Sequence, residues 1–214
     1  MSGPGLSVAD PQALRAVAQA ISQSNFAGAA GIADRALRSG VQHPIFFNAR
    51  ALFAQAQGRH QAALDDFNRS AAMTAPNPVL LNAIGLCLVR LNRAQEAIAA
   101  FDRAIALDPN FAEGHYRKGW AHDALADTAR ARESYERAIA VKPDYADPLA
   151  ALAVIAARGG DIAKARDHAE RALKTDPGAP TAVVALAIAD NAEKNFAAAE
   201  ARLHTALASS RAQG

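Results

Sequence analysis

From Pro11 onward, apolar residues return every three or four positions for about a dozen residues, stop at a short polar stretch, then return for another dozen. That spacing puts the apolar side chains on one face of a helix, so each passage predicts two amphipathic helices joined by a tight turn. The breaks read "QGRH", "LNRA", "ADTA" and "RGGD", and the second stripes end near "LDPN", "VKPD" and "TDPG". Proline disfavours the helical conformation of the residue before it, so Pro109, Pro143 and Pro177 stop the preceding helices. Asp10-Pro11, Asn77-Pro78 and Asp147-Pro148 each offer a capping oxygen followed by a proline suited to a first helical turn, and are the expected starts.

The pattern has a fixed period. Ala29, Ala63, Ala97, Ala131, Ala165 and Ala199 recur every 34 residues without a gap. In the same register run Val17, Ala51, Gly85, Gly119, Ala153 and Ala187, and a bulkier column of Ala33, Phe67, Phe101, Tyr135, Ala169 and Leu203. Two helices approach closely only where facing side chains are small, so the small columns are expected at the crossings within a unit, and Phe67, Phe101 and Tyr135 between successive units. This divides the chain into an N-terminal segment expected to be flexible (1–9), one domain of six units (10–43, 44–77, 78–111, 112–145, 146–179 and 180–210) and a tail (211–214).

Composition agrees with helices and narrows the function. Half of the residues are hydrophobic, much of that share being alanine, the best helix former. The formal charge is +2 with both signs interspersed, which argues against nucleic acid or a polybasic membrane contact. No apolar run reaches the roughly 18 residues needed to span a bilayer. Cys87 is the single cysteine, read as a buried thiol in a reducing, cytoplasmic setting. The ion pairs Asp65 with Arg69, Glu133 with Arg137 and Asp167 with Arg171 are read as solvent-face pairs without functional weight.

Gly85, Ala97, Phe101, Ala104 and Pro109 in the third unit, and Gly119, Ala131, Tyr135, Ala138 and Pro143 in the fourth, make the chain resemble the tetratricopeptide repeat family. The first and sixth units are more degenerate, as suits capping ends. The resemblance implies an all-α, right-handed solenoid of antiparallel helix pairs, non-catalytic and without cofactor, whose first helices line a concave groove for a peptide segment of a partner. One branch of the family grips a terminal carboxylate with a lysine and asparagine clamp, and the matching positions here, such as Leu14, Ala49 and Val79, do not supply it.

In the family, the column Ala18, Leu52, Leu86, Trp120, Val154 and Ile188 faces the groove. The expected partner-binding residues are Leu52, Asn82, Leu86, Val89, Arg90, Tyr116, Arg117, Trp120, Asp123, Val154 and Arg158, anchored on Tyr116 and Trp120. Asn82 is placed to hydrogen-bond a bound backbone, and Arg90, Arg117 and Arg158 to meet an acidic group. Two readings of Trp120, the one tryptophan, stand side by side: an anchor for a partner, or packing against neighbouring units.

Catalytic and metal motifs are missing from the sequence. His115 and His122 share a helix face without a cysteine or carboxylate at ligand spacing and are read as fillers of the helix pair. Two other functional classes are carried. Bacterial proteins resembling this one often join such repeats to a sulfotransferase or glycosyltransferase domain, making the repeats a substrate-docking arm. Alternatively, Leu203 and Leu207 on the last helix pair with a second copy in a homodimer.

Overall fold

The computed structural model describes residues 10–212. Among these residues twelve helices follow one another in six pairs, as the period predicts. The pairs are α1 (Pro11–Ser22) with α2 (Phe26–Arg38), α3 (Pro44–Ala56) with α4 (His60–Ala71), α5 (Pro78–Arg90) with α6 (Ala94–Leu107), α7 (Ala112–Ala124) with α8 (Thr128–Val141), α9 (Ala146–Arg158) with α10 (Ile162–Thr175), and α11 (Pro180–Ala192) with α12 (Phe196–Ala212). The expected segment 1–9 and the last two residues of the expected tail lie outside the described residues. None of the described helices is long and apolar enough to cross a membrane.

The turn inside each pair has one geometry throughout. Its central residue is left-handed six times: Ser24 (φ 57°), Gly58 (71°), Asn92 (59°), Ala126 (57°), Gly160 (81°) and Lys194 (63°). The next amide reaches back to the carbonyl of the first helix's last full turn, as in Asn25 to Ala20 (2.8 Å), Arg93 to Leu88 (2.9 Å) and Asp127 to His122 (3.0 Å). This closure satisfies carbonyls that a helix end leaves orphaned. That residue then begins the second helix, where Asn25, Asp127 and Asp161 also cap it through their side chains.

Asp10 and Asn77 cap α1 and α5 as expected. Asp147 does not cap α9: Tyr145 is the cap residue, and Asp147 lies in the first turn, its carboxylate free to face outward. Of the expected surface pairs, Arg171 meets Asp167 at 3.4 Å, whereas Arg69 turns to the buried Asp66 at 3.6 Å and Asp65 accepts the Gln61 amide instead.

The chain divides into two compact units, Met1–Asp108 and Pro109–Gly214. In the first, α5 carries Gly85, and a Cβ there would collide with the ring of Phe101 on α6. In the second, a Cβ on Gly119 of α7 would collide with the ring of Tyr135 on α8. The rings therefore pack inside their own pair, on the glycine, rather than only between pairs as expected; Tyr135 also reaches Leu152 of the following pair. Among the described residues, a buried ionic anchor stands in each unit. Arg50 donates two hydrogen bonds to Asp66 (2.9 and 3.0 Å), and Asp190 accepts from Arg166 (2.6 Å) and Arg202 (2.7 Å). Burial alone would push the Asp190 carboxyl up, but the two arginine bonds outweigh it and hold it below the usual range.

Candidate functional site

The column next to the buried small residues is open in every pair. Val17, Ala51, Gly85, Gly119, Ala153 and Ala187 are all buried, while one residue on, Ala18 is exposed and Leu52, Leu86, Trp120, Val154 and Ile188 are half-buried. A rotation of about 100° per residue separates the two faces.

On the second unit this open face forms a cleft of ≈ 810 Å³. Its aromatic wall comes from α7. Gly114, Gly119, Ala121 and His122 are buried, which turns Tyr116 and Trp120, four residues apart, onto the opposite side of the helix. The Tyr116 ring lies 5.4 Å from that of Tyr145 and 5.9 Å from that of Tyr135. The Arg117 guanidinium sits 5.9 Å from the Tyr116 ring and 6.0 Å from the Trp120 ring, held by Glu113 at 3.2 Å. The opposite wall is Ala150, Ala151, Val154 and Ile155 of α9.

Tyr135 donates its hydroxyl to the Asp123 carboxylate at 2.5 Å. Burial, then that bond, push the Tyr135 phenol far above its ordinary value, so it remains a neutral donor. Burial also raises the Asp123 carboxyl, against the lowering effects of the Tyr135 bond and of Arg158. The cleft can therefore hold an apolar group on two aromatic rings while polar groups at its ends orient it. Among the described residues no three metal-ligating side chains gather; His115 instead sets Nε2 3.0 Å from the Pro109 carbonyl oxygen, and His122 is buried.

Of the expected residues, Tyr116, Trp120, Asp123, Val154 and Arg158 come together in this cleft, with Arg117 behind the rings. The first unit places its five differently. Asn82 and Val89 are 7 % and 9 % exposed, so they present little surface, while Leu52 and Leu86 are half-buried and Arg90 is exposed. Arg132 and Asp147 line the cleft and were not foreseen. A signal for Arg132 was present in its column, Ala30, Leu64, Ile98, Arg132, Arg166 and Glu200, which changes from apolar to charged at the fourth unit. Leu203 and Leu207 are 41 % and 60 % exposed on α12.

The tetratricopeptide repeat pattern matches residues 12–78 and 116–180 in one form and 78–111 in another. The chain belongs to the tetratricopeptide repeat family. No curated protein sequence matches it significantly. Solved structures share the fold at low identity. PilW, a widely conserved type IV pilus biogenesis factor, is 19% identical with a TM-score of 0.76, over 91% of each chain. PilF of Pseudomonas aeruginosa is 15% identical with a TM-score of 0.76, over 89% of this chain and 87% of that one. YrrB, described as a tetratricopeptide repeat protein with an unusual peptide-binding site, is 18% identical with a TM-score of 0.64, over 81% and 89%. This chain is therefore a helical solenoid of the kind that serves as a protein-interaction scaffold.

Proposed function

We propose that this tetratricopeptide repeat chain is a non-catalytic scaffold that holds a peptide segment of a partner protein, with the cleft of the second unit as the principal seat. The observation that carries this reading is the half-exposed pair Tyr116 and Trp120 on the wall of an open ≈ 810 Å³ cleft. Tryptophan, tyrosine and arginine dominate binding energy when a partner excludes water from them, and here Arg117 already braces both rings. The peptide-binding site attributed to YrrB is consistent with this use of the fold. On the first unit, the half-buried Leu52 and Leu86 offer a secondary contact surface of their own.

The test compares native protein with a Tyr116→Ala, Trp120→Ala double variant in affinity capture, followed by titration of the captured partner. The expected result is a loss of about tenfold or more in affinity with helicity unchanged. Equal affinity removes the cleft from the account. A second reading, self-association, rests on the exposed Leu203 and Leu207 of α12; light scattering that shows a monomer at high concentration disposes of it.

A further inference from the structure

Resting on that reading, we infer that the occupant of the second unit's cleft is a charge-polarised segment. It sets a carboxylate between Arg132 and Arg158 at one end and a cation against Asp147 and Asp176 at the other, with an apolar residue on Trp120 between them.

Repeat geometry supplies the main ground. Arg132 and Arg166 stand 34 residues apart in one column. Arg166 is satisfied within the chain, by Asp190 and by Glu193, each at 2.6 Å. The positions 34 residues before those two acids are Ala156 and Gly159. Arg132 faces both of them across a neighbouring cavity, and neither can accept a hydrogen bond from it through a side chain; of the carboxylates that line this cavity, Asp161 is held by Lys164 at 2.9 Å and Asp167 by Arg171 at 3.4 Å, and Glu136 stands one turn along Arg132's own helix. The carboxylate that the sixth pair provides internally is thus missing from the fifth, and the arginine that would bind it lines the cleft. Arg158, exposed on the same rim, attracts Asp123 at longer range, while the Tyr135 hydroxyl holds that carboxylate's hydrogen bond.

Position along the cleft gives the polarity. Arg132, Arg158, Asp123, Thr128 and Gly159 cluster at the turns that end α7 and α9. Asp147 lies at the start of α9, and Asp176 ends α10 ahead of α11, which packs against both α9 and α10. Arg171 confirms the direction, since it reaches from the end of α10 to the Pro143 carbonyl before α9. Each antiparallel pair presents one helix start and one helix end on either side, so the macrodipoles largely cancel and the side chains decide the sign. One end of the lining then carries two arginines against a single carboxylate, and the other carries two carboxylates. From Asp147 to Arg158 the helix rises about 16 Å, the span of roughly five extended residues.

Selection from a display library of random dodecapeptides tests this, with native protein, Trp120→Ala and Gly159→Glu as baits. Gly159 has φ −79°, close to the −85° of Glu193 in the equivalent turn, so Gly159→Glu can offer Arg132 the carboxylate in cis, its Cβ needing a few tenths of an ångström of relief from the Ile155 carbonyl oxygen at 3.3 Å. The native protein is expected to enrich peptides with an acidic and a basic residue about five positions apart flanking an apolar one. Replacing the acid by its amide should weaken those peptides roughly fivefold. Gly159→Glu should lose the preference for the acid yet keep Trp120-dependent binding. Peptides that depend on Trp120 but show no charge pattern, or the same acidic peptides selected by Gly159→Glu, would overturn the polarity and leave the cleft as a peptide seat. A library yielding no binders, or only binders indifferent to Trp120→Ala, overturns both.

Discussion

The third and fourth helix pairs use one packing solution with different side-chain chemistry. In the third, Gly85 receives the Phe101 ring, and the neighbouring positions are Asn82, Leu86 and Val89. In the fourth, Gly119 receives the Tyr135 ring, and the same positions hold Tyr116, Trp120 and Asp123. One hydroxyl separates the rings. In the third pair, Val89 is 9 % exposed where its counterpart Asp123 takes the tyrosine hydroxyl and opens onto the cleft. The glycine and ring belong to the packing inside the pair, and in the fourth pair the variation around them makes a wall of the cleft.

The largest effect should come from filling the shared glycine. Gly85→Leu and Gly119→Leu both force a side chain into an aromatic ring, and each should cost about 3 kcal/mol in urea unfolding. If the ring is the obstacle, Phe101→Leu should relieve part of the Gly85→Leu loss in a double-mutant cycle, and additive losses would break the comparison at its base.

Exchanging the ring chemistry should have a smaller effect of unequal size. Tyr135→Phe removes the donor to a partly desolvated carboxylate and should cost about 1.5 kcal/mol. Phe101→Tyr brings a hydroxyl to a pair whose matching position is Val89, and should cost about 2 kcal/mol for an unmet polar group. Phe101→Tyr combined with Val89→Asp should recover much of that loss.

Only the fourth pair should titrate through this position. The Asp123 carboxyl is raised, first by burial, so the folded state holds its proton at a pH where the unfolded chain has released it. Its contribution therefore falls as pH rises from the ordinary carboxylate value, about 4, through the raised folded value, and the penalty persists at neutral pH. Asp190, held low, acts in the opposite sense: its stabilisation is present above the ordinary value and disappears as pH falls through the lowered one. Asp123→Asn should accordingly raise the neutral-pH urea midpoint relative to the acidic one. Val89→Asn in the third pair should leave the shape of the pH profile unchanged.

The backbone architecture was readable because a 34-residue period repeats the same steric demand six times, and small residues at fixed columns can mean little other than close helix approach. The open column around Trp120 followed from the same register. The chemistry of the cleft was less legible, because it depends on departures from the repeat. Asp147 before Pro148 has the form of a cap, and only the start of α9 two residues earlier, at Ala146, releases its carboxylate to the cleft. Arg132 looks like one more surface arginine until Arg166, in the same column, is seen to pair with Asp190 and Glu193, whose equivalents near Arg132 are Ala156 and Gly159. Asn82 and Val89, apt for a groove by position, are buried by packing that a column of letters does not express.

The smallest effect lies in the turns of these same two pairs. Asn92 (φ 59°) and Ala126 (φ 57°) occupy the same left-handed position. Asparagine tolerates that region through local hydrogen bonding, whereas an alanine Cβ crowds the carbonyl there at a cost of about 1–2 kcal/mol. Glycine removes the crowding but gives the unfolded chain more freedom, which takes back up to about 1 kcal/mol. Ala126→Gly should therefore stabilise the protein by about 0.5 kcal/mol, and Asn92→Gly should be neutral or slightly destabilising. Measured together by urea unfolding, equal changes at the two sites would mean that the fourth pair carries no more turn strain than the third. A gain confined to Ala126→Gly would place that strain at the turn whose residue lines the cleft.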